Sequence, residues 1–382
     1  MAYKKFDVID CHIHYAHPSL MQGLMDACER LSIERMNIVC TPDMKRLSLV
    51  PDALHLKAHF PQKVFVFGGL DVSVYFREPQ KVGKLFADNV DLLAGLGCDG
   101  IKMIEAKPQM RKMLPVPAFD SEVFAPYWEK LSQTQFPLLM HVNDPEEFWD
   151  AAKAPKWAIE RGWFYGDGTY INNEKQYDEI LGVLRQNPNL KVIFAHFFFM
   201  SAQLERLAEI LDRYPNVCVD LTPGIEMYTN FSKNIQKTRD FFIKYQDRIL
   251  FGTDIGARAL LVDPGEGIQF EESRGRVSVV RSFLESDGEF ALPEKNGFLF
   301  GNGDAFLHGI GLPEEVLEKI YHQNFEKMVS SLPRKINPDR VVGFCDQVEK
   351  MIVLQGSSQP GVPGDTSVAS MVKEYFQHFC TS

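Results

Sequence analysis

The segment Phe6-Asp7-Val8-Ile9-Asp10-Cys11-His12-Ile13-His14 decides how the rest of the chain is read. Its apolar run predicts a short buried strand, and that strand ends in two histidines spaced i, i+2. Side chains alternate faces along a strand, so Asp10, His12 and His14 are expected to point the same way. Two imidazoles with a carboxylate below them make half of a coordination shell for a divalent metal. The other half has to come from elsewhere in the chain.

Counting outward from this strand (8–15), comparable apolar, β-branched-rich runs recur at 36–41, 64–72, 100–106, 136–143, 190–198, 217–222 and 248–255. Helical periodicity falls between them, at 79–95, 120–135, 173–186 and 201–214. In the last of these, Leu204, Leu207, Ala208 and Leu211 follow the i, i+3, i+4, i+7 rule. Eight buried strands alternating with helices favour a parallel sheet closed into a barrel. Continuous apolar strands suit a sheet covered on both faces. The competing open, doubly wound sheet would carry a glycine-rich turn after its first strand, and His14-Tyr15-Ala16-His17-Pro18 contains no glycine.

The expected fold is therefore α/β, a distorted TIM-type (β/α)8 barrel over residues 1–335 with a helical extension over 336–382. A long insertion (144–172) follows the fifth strand and is rich in aromatic residues and glycine. Loops of that length are usually lids or are packed on something. A second segment (256–311) follows the eighth strand and contains the turn-rich Lys295-Asn296-Gly297 and Gly301-Asn302-Gly303-Asp304. A Gly/Pro/Ser linker at 355–367 leads to a terminal helix whose Val368, Met371, Val372, Tyr375, Phe376 and Phe379 share a face. That face must dock on the barrel or on a second subunit, and a homodimer is the expectation.

The bulk properties exclude several function classes. A net charge of −10 without any basic run lacks the footprint for nucleic acid or for anionic membrane surfaces. No apolar run reaches the length of a membrane span, and Met1-Ala-Tyr-Lys-Lys-Phe6 has no signal-peptide core. The seven cysteines (11, 28, 40, 98, 218, 345 and 380) include no CxxC pair, which fits a reducing cytoplasm. The partner left is a small-molecule substrate.

Barrel enzymes place their chemistry at the C-terminal ends of the strands. There the sequence offers His12 and His14 on the first strand, His141 on the fifth, His196 on the sixth and Asp254 on the eighth. Each follows an apolar run in which an uncompensated polar group would be costly. Several strands presenting ligand types at one rim point jointly to a metal site with an open position.

With these residues in place, the sequence resembles the amidohydrolase superfamily, in its amidohydrolase 2 branch of aminocarboxymuconate-semialdehyde decarboxylase-like enzymes. The resemblance covers most of residues 6–330 and rests on four matches. They are Asp10-Cys11-His12-Ile13-His14, the strand-end His141 and His196, Phe251-Gly252-Thr253-Asp254, and the segment from Leu312 to Asn324. It implies that His12, His14, His141 and Asp254 hold one divalent metal, zinc first with manganese or iron as alternatives, and that His196 is the catalytic histidine beside it. Asp254 would then take a proton from an activated water, and His196 would polarise the substrate carbonyl or hold the water.

Lys102 stands near the end of the fourth strand, where dinuclear members of the superfamily carry a carboxylated bridging lysine. A lysine that pairs with a nearby carboxylate or binds an anionic substrate group is the simpler reading, and one metal is expected. Arg258 and Tyr165 are further candidates for substrate binding, with Trp163 lining or covering the pocket. Asp144 and Asp220 are candidates to orient histidines. The expected activity is hydrolysis of a C–N or C–O bond in a small cyclic or acyl substrate. A metal-dependent decarboxylase is the rival on the same scaffold, and a metal- or ligand-binding protein without turnover is the third possibility.

Overall fold

Nine strands form one sheet whose order is β8-β7-β6-β5-β4-β3-β2-β1-β9, and all their pairings are parallel. They are β1 (Ile9–His14), β2 (Arg35–Val39), β3 (Val64–Gly69), β4 (Gly100–Ala106), β5 (Leu138–Val142), β6 (Val192–Phe194), β7 (Val217–Asp220), β8 (Ile249–Leu250) and β9 (Ile255–Gly256). The computed structural model describes residues 6–43, 45–224, 226–256, 267–291, 306–358 and 364–379. Arg258 lies outside the described residues, as do 292–305 and the 359–363 part of the linker.

The single eighth strand expected over 248–255 is two short ones. Asp254 adopts φ 59°, which breaks the extended run, and the chain resumes pairing only at Ile255. Hydrogen bonds Cys11 N to Phe251 O (3.0 Å) and Asp254 N to His12 O (2.8 Å) bridge the gap. Because β8 pairs with β7 and β9 with β1, the interrupted strand closes the sheet into a distorted TIM barrel. Gly256, at φ 95°, is required there, since a Cβ would stand 2.0 Å from the His14 carbonyl oxygen.

Alternation then sorts the strands into two apolar layers. Ile9, Cys11, Val39, Phe65, Phe67, Leu139, Ile193 and Leu250 share one cluster with Phe325 and Met328, plugging the barrel interior. Val8, Ile13, Met36, Ile38, Val64 and Val66 join the larger cluster under the helices. The first strand departs from simple alternation. Its register shifts between Asp10 and Ile13, so Cys11 and His12 both turn inward. Asp10 is therefore not below the histidines as expected. Its carboxylate accepts hydrogen bonds from His12 N (3.0 Å), Thr253 N (3.2 Å) and the Thr253 hydroxyl, fastening β1 to the residues after β8.

The expected helices are present at Val82–Leu96, Ala125–Thr134, Asn173–Gln186 and Leu204–Arg213, the third with the expected ends and the others with shifted ones. Gly97, at φ 101°, terminates the first, and the Asn172 side chain caps the third by accepting from Lys175 N. The helix Phe270–Glu285 falls inside the segment 256–311, ahead of its turn-rich stretches, which lie outside the described residues. At the C-terminus, Pro338–Ser358 and Ser367–Phe379 pack on each other, and the latter also covers Val50–His59. Val368, Val372 and Phe376 are buried there, and Tyr375 stacks on His59. That face thus docks within the chain at Val368, Val372 and Phe376, while Met371 stays exposed. Among the described residues no helix is long and apolar enough to cross a membrane.

Candidate metal centre and its cavity

The C-terminal rim brings together side chains from five strand ends. His12 Nδ1 lies 2.9 Å from Asp220 Oδ2, so its proton goes to that carboxylate and the Nε2 lone pair is left on the side of Lys102 and Asp254. Nε2 stands 3.9 Å from Asp254 Oδ1, and His14 Nε2 stands 2.9 Å from the same oxygen. One ligand atom from each of His12, His14 and Asp254 falls within 4.8 Å of the others. Two nitrogens and a carboxylate oxygen, with one imidazole already fixed in the ligating tautomer, suit a divalent cation. A second such group, Asp7, His322 and Glu326, is different, because Arg35 Nη2 pairs with both of its carboxylates at 2.7 Å.

Asp220 serves two strands. Its Oδ1 accepts from His196 N (2.8 Å) and Thr222 N (3.1 Å) while Oδ2 orients His12. Burial pushes the His12 and His196 imidazoles well below their ordinary value, with Lys102 and His141 respectively adding to the effect. Both rings are therefore neutral at pH 7, as a ligand or a hydrogen-bonding group requires. Lys102 Nζ approaches His12 Nε2 to 3.0 Å, and burial lowers its ammonium to about 8 against the opposing pull of Asp220 and Asp254.

His141 lines the same cavity, next to His196. It is not in the His12–His14–Asp254 group; its Nε2 lies 3.2 Å from Asp144 Oδ1. Asp144 also accepts from Lys107 Nζ (2.6 and 2.7 Å) and from the Tyr165 hydroxyl (2.7 Å). Burial alone would raise this carboxyl, but Lys107 and His141 hold it well below the carboxylate range. Tyr165 is consequently not a cavity-lining residue; it is buried behind Asp144.

His196 reaches the centre by an unusual backbone. The strand expected over 190–198 stops at Phe194, and His196, Phe197, Phe198 and Phe199 all have positive φ (54°, 55°, 59° and 52°). Each such residue costs about 1–2 kcal/mol. Aromatic packing offsets this: Phe197 stacks on Phe242, Phe198 stacks on Phe194, and the Phe198 carbonyl accepts from the Tyr177 hydroxyl at 2.9 Å. The turn sets the His196 ring 4.8 Å from His141 and 5.7 Å from His12, centroid to centroid.

These groups surround a cavity of about 300 Å³. Its polar side has His12, His14, Thr41, Lys102, His141, His196 and Asp254; its apolar side has Ile104, Met110, Met113, Phe148, Trp163 and Phe199. Trp163 thus lines the pocket as expected. Two neighbours were missed in the sequence. Thr41 ends a strand run and obeys the same rim rule that found the histidines. Arg276, fully buried on the helix Phe270–Glu285, places Nη1 3.4 Å from Asp254 Oδ2 and Nε 2.6 Å from Glu272. No sequence signal marks it.

Comparison with known proteins adds the following. A family model described as amidohydrolase matches residues 90–329. Among solved structures, the chain is similar to a putative amidohydrolase from Staphylococcus aureus (TM-score 0.52, 14% identity, 85% of this chain and 99% of that one). It is also similar to 5-carboxyvanillate decarboxylase from Sphingomonas paucimobilis (TM-score 0.51, 12% identity, 85% and 99%). A third similar structure is 2,6-dihydroxybenzoate decarboxylase complexed with 2,6-dihydroxybenzoate (TM-score 0.50, 12% identity, 85% and 98%). No curated protein sequence matches the chain.

Proposed function

We propose, from the premise that the chain belongs to the amidohydrolase family and is one of its enzymes, that it is a metal-dependent hydrolase of a C–N or C–O bond in a small cyclic or acyl substrate. The observation that carries this is the convergence of His12, His14 and Asp254, with His12 held in the ligating tautomer by Asp220. One divalent cation, zinc first and manganese or iron next, would lower the pKa of a water and polarise the scissile group.

The chain supplies the rest. Asp254, steadied by Arg276, accepts the proton released as the water attacks. The neutral His196 imidazole donates to the oxygen on which charge develops. Lys102 holds an anionic group of the substrate, and the apolar wall from Met110 to Phe199 keeps bulk water away. In this reading His141 completes the ligand set only by exchanging Asp144 for the cation. Residues 1–335 carry the site and 336–382 brace it. The six described cysteines, buried and unpaired, suit a cytoplasmic location.

A second reading, non-oxidative decarboxylation, is favoured by one observation. Lys102 faces the cavity with His12, and no carboxylate among the described residues, as its hydrogen-bond partner, so it can seat a substrate carboxylate. Metal analysis, turnover and product analysis test both readings. About one cation per chain is expected, and His196→Asn should keep that cation while abolishing turnover. Incorporation of oxygen from labelled water supports hydrolysis, whereas release of carbon dioxide supports the second reading. A stoichiometry near zero that added metal does not raise would falsify both.

A further inference from the structure

His12 offers a cation its Nε2 lone pair, because the Nδ1 proton is committed to Asp220. That lone pair already has a taker. Lys102 Nζ lies 3.0 Å from Nε2, and an ammonium carries donors only, so the lysine donates and the imidazole accepts. One lone pair cannot serve an N–H donor and a metal cation together, and two positive centres at such range repel. A cation on His12 therefore requires Lys102 Nζ to leave.

A buried ammonium that gives up one partner needs another. The neighbouring carboxylates are committed. Asp220 accepts from His12, His196 N and Thr222 N. Asp144 accepts from Lys107 and from the Tyr165 hydroxyl. Glu105, on the same strand as Lys102, turns to the Ile104 N–H (2.7 Å) and is not part of the cavity wall. Asp254 pairs with His14 and Arg276 and belongs to the ligand group itself. Lys102 does line the cavity, so the anion that receives it there has to come from outside the chain.

We infer that Lys102 is an internal placeholder for the cation: it caps His12 Nε2, yields to the cation, and once displaced becomes the binding point for a substrate carboxylate. The inference rests on the proposed function and adds a regulation to it. Cation and carboxylate then bind cooperatively, each favouring the other by the same factor, as linkage requires. An anionic substrate is held tightly only when the centre is loaded, so one lysine orders the assembly of the site.

A metal also attracts a carboxylate directly, and comparing wild type with Lys102→Met in two forms separates that contribution from the lysine's. Zinc uptake is measured first, by calorimetric titration of the chelator-treated proteins. Benzoate is then titrated into wild type and variant, each zinc-loaded and chelator-treated. Lys102→Met should weaken benzoate at least ~fivefold in the loaded form and less than ~twofold in the chelator-treated form. Equal weakening in both forms means that the lysine is available to anions throughout, and overturns the inference alone. No benzoate binding by loaded wild type overturns it as well. A wild type that takes up no zinc overturns the proposed function and this inference with it. Lys102→Gln, neutral but still polar, repeats the comparison where melting curves show the methionine variant to be poorly folded.

Discussion

Asp220 and Asp144 are both buried carboxylates holding a histidine at the end of a barrel strand, yet they leave those histidines in opposite states. Asp220 takes the Nδ1 side of His12 and so delivers Nε2 to the cavity beside Asp254. Asp144 takes the Nε2 side of His141 and is itself tied to Lys107 and Tyr165. A carboxylate–histidine pair does not by itself make a ligand. Engaged at Nδ1, His12 keeps Nε2 for a cation, whereas His141 must first exchange its contact with Asp144, as His14 must with Asp254.

The largest expected effect breaks the first pair. Asp220→Ala frees His12 and strips an acceptor from two buried backbone N–H groups, so zinc affinity should fall at least ~10–100-fold and stability by about 3 kcal/mol. Calorimetric titration and urea unfolding measure these, and unchanged affinity would show that Asp220 does not set the tautomer. Next, Lys102→Met removes an ammonium 3.0 Å from His12 Nε2. Zinc affinity should then rise by roughly tenfold, a change of about 1.4 kcal/mol, while benzoate binding weakens. A fall in zinc affinity would mean that the lysine supports the metal.

Asp144→Asn weakens the contact that competes with the cation for His141, so zinc affinity should rise, while stability falls by about 1–3 kcal/mol at pH 7 because Lys107 loses its counter-charge. The acid profile should differ as well. A carboxyl held below its unfolded value of 3.8 stabilises the fold above that value, and the contribution disappears as pH falls towards the folded value. Unfolding free energies of wild type and variant should therefore converge below about pH 4; a constant gap would mean that the charge of Asp144 is not what stabilises. Tyr165→Phe is the mildest change, removing one hydrogen bond to Asp144 at about 1 kcal/mol. Urea midpoints suffice to detect it, and a loss beyond ~2 kcal/mol would give the hydroxyl a larger role.

The barrel was legible because each strand announces itself by an apolar run, and the rim residues because a histidine or aspartate ends that run. What escaped depends on local backbone geometry. Nothing in Ala195-His196-Phe197-Phe198-Phe199 marks four successive left-handed residues, since β-prone phenylalanines favour an extended reading. The bulge in β1 removed Asp10 from the face predicted for it, because one extra residue reverses all later alternation. His141 was correctly placed on β5, but its orientation depends on Asp144, Lys107 and Tyr165 together. Arg276 was beyond reach, since its pairing with Asp254 requires knowing where a helix 22 positions later returns.

The interrupted closing strand has a mechanical consequence. Two residue pairs, Ile13 with Ile255 and His14 with Gly256, join β1 to β9, as few as join β7 to β8. His14 stands on one side of this seam and Asp254 on the other. A cation held by both would act as a staple across the join, and its removal should loosen barrel closure as well as chemistry. Amide hydrogen exchange at Ile255 would then quicken on chelation, while that at Leu139, deep in β5, would stay slow.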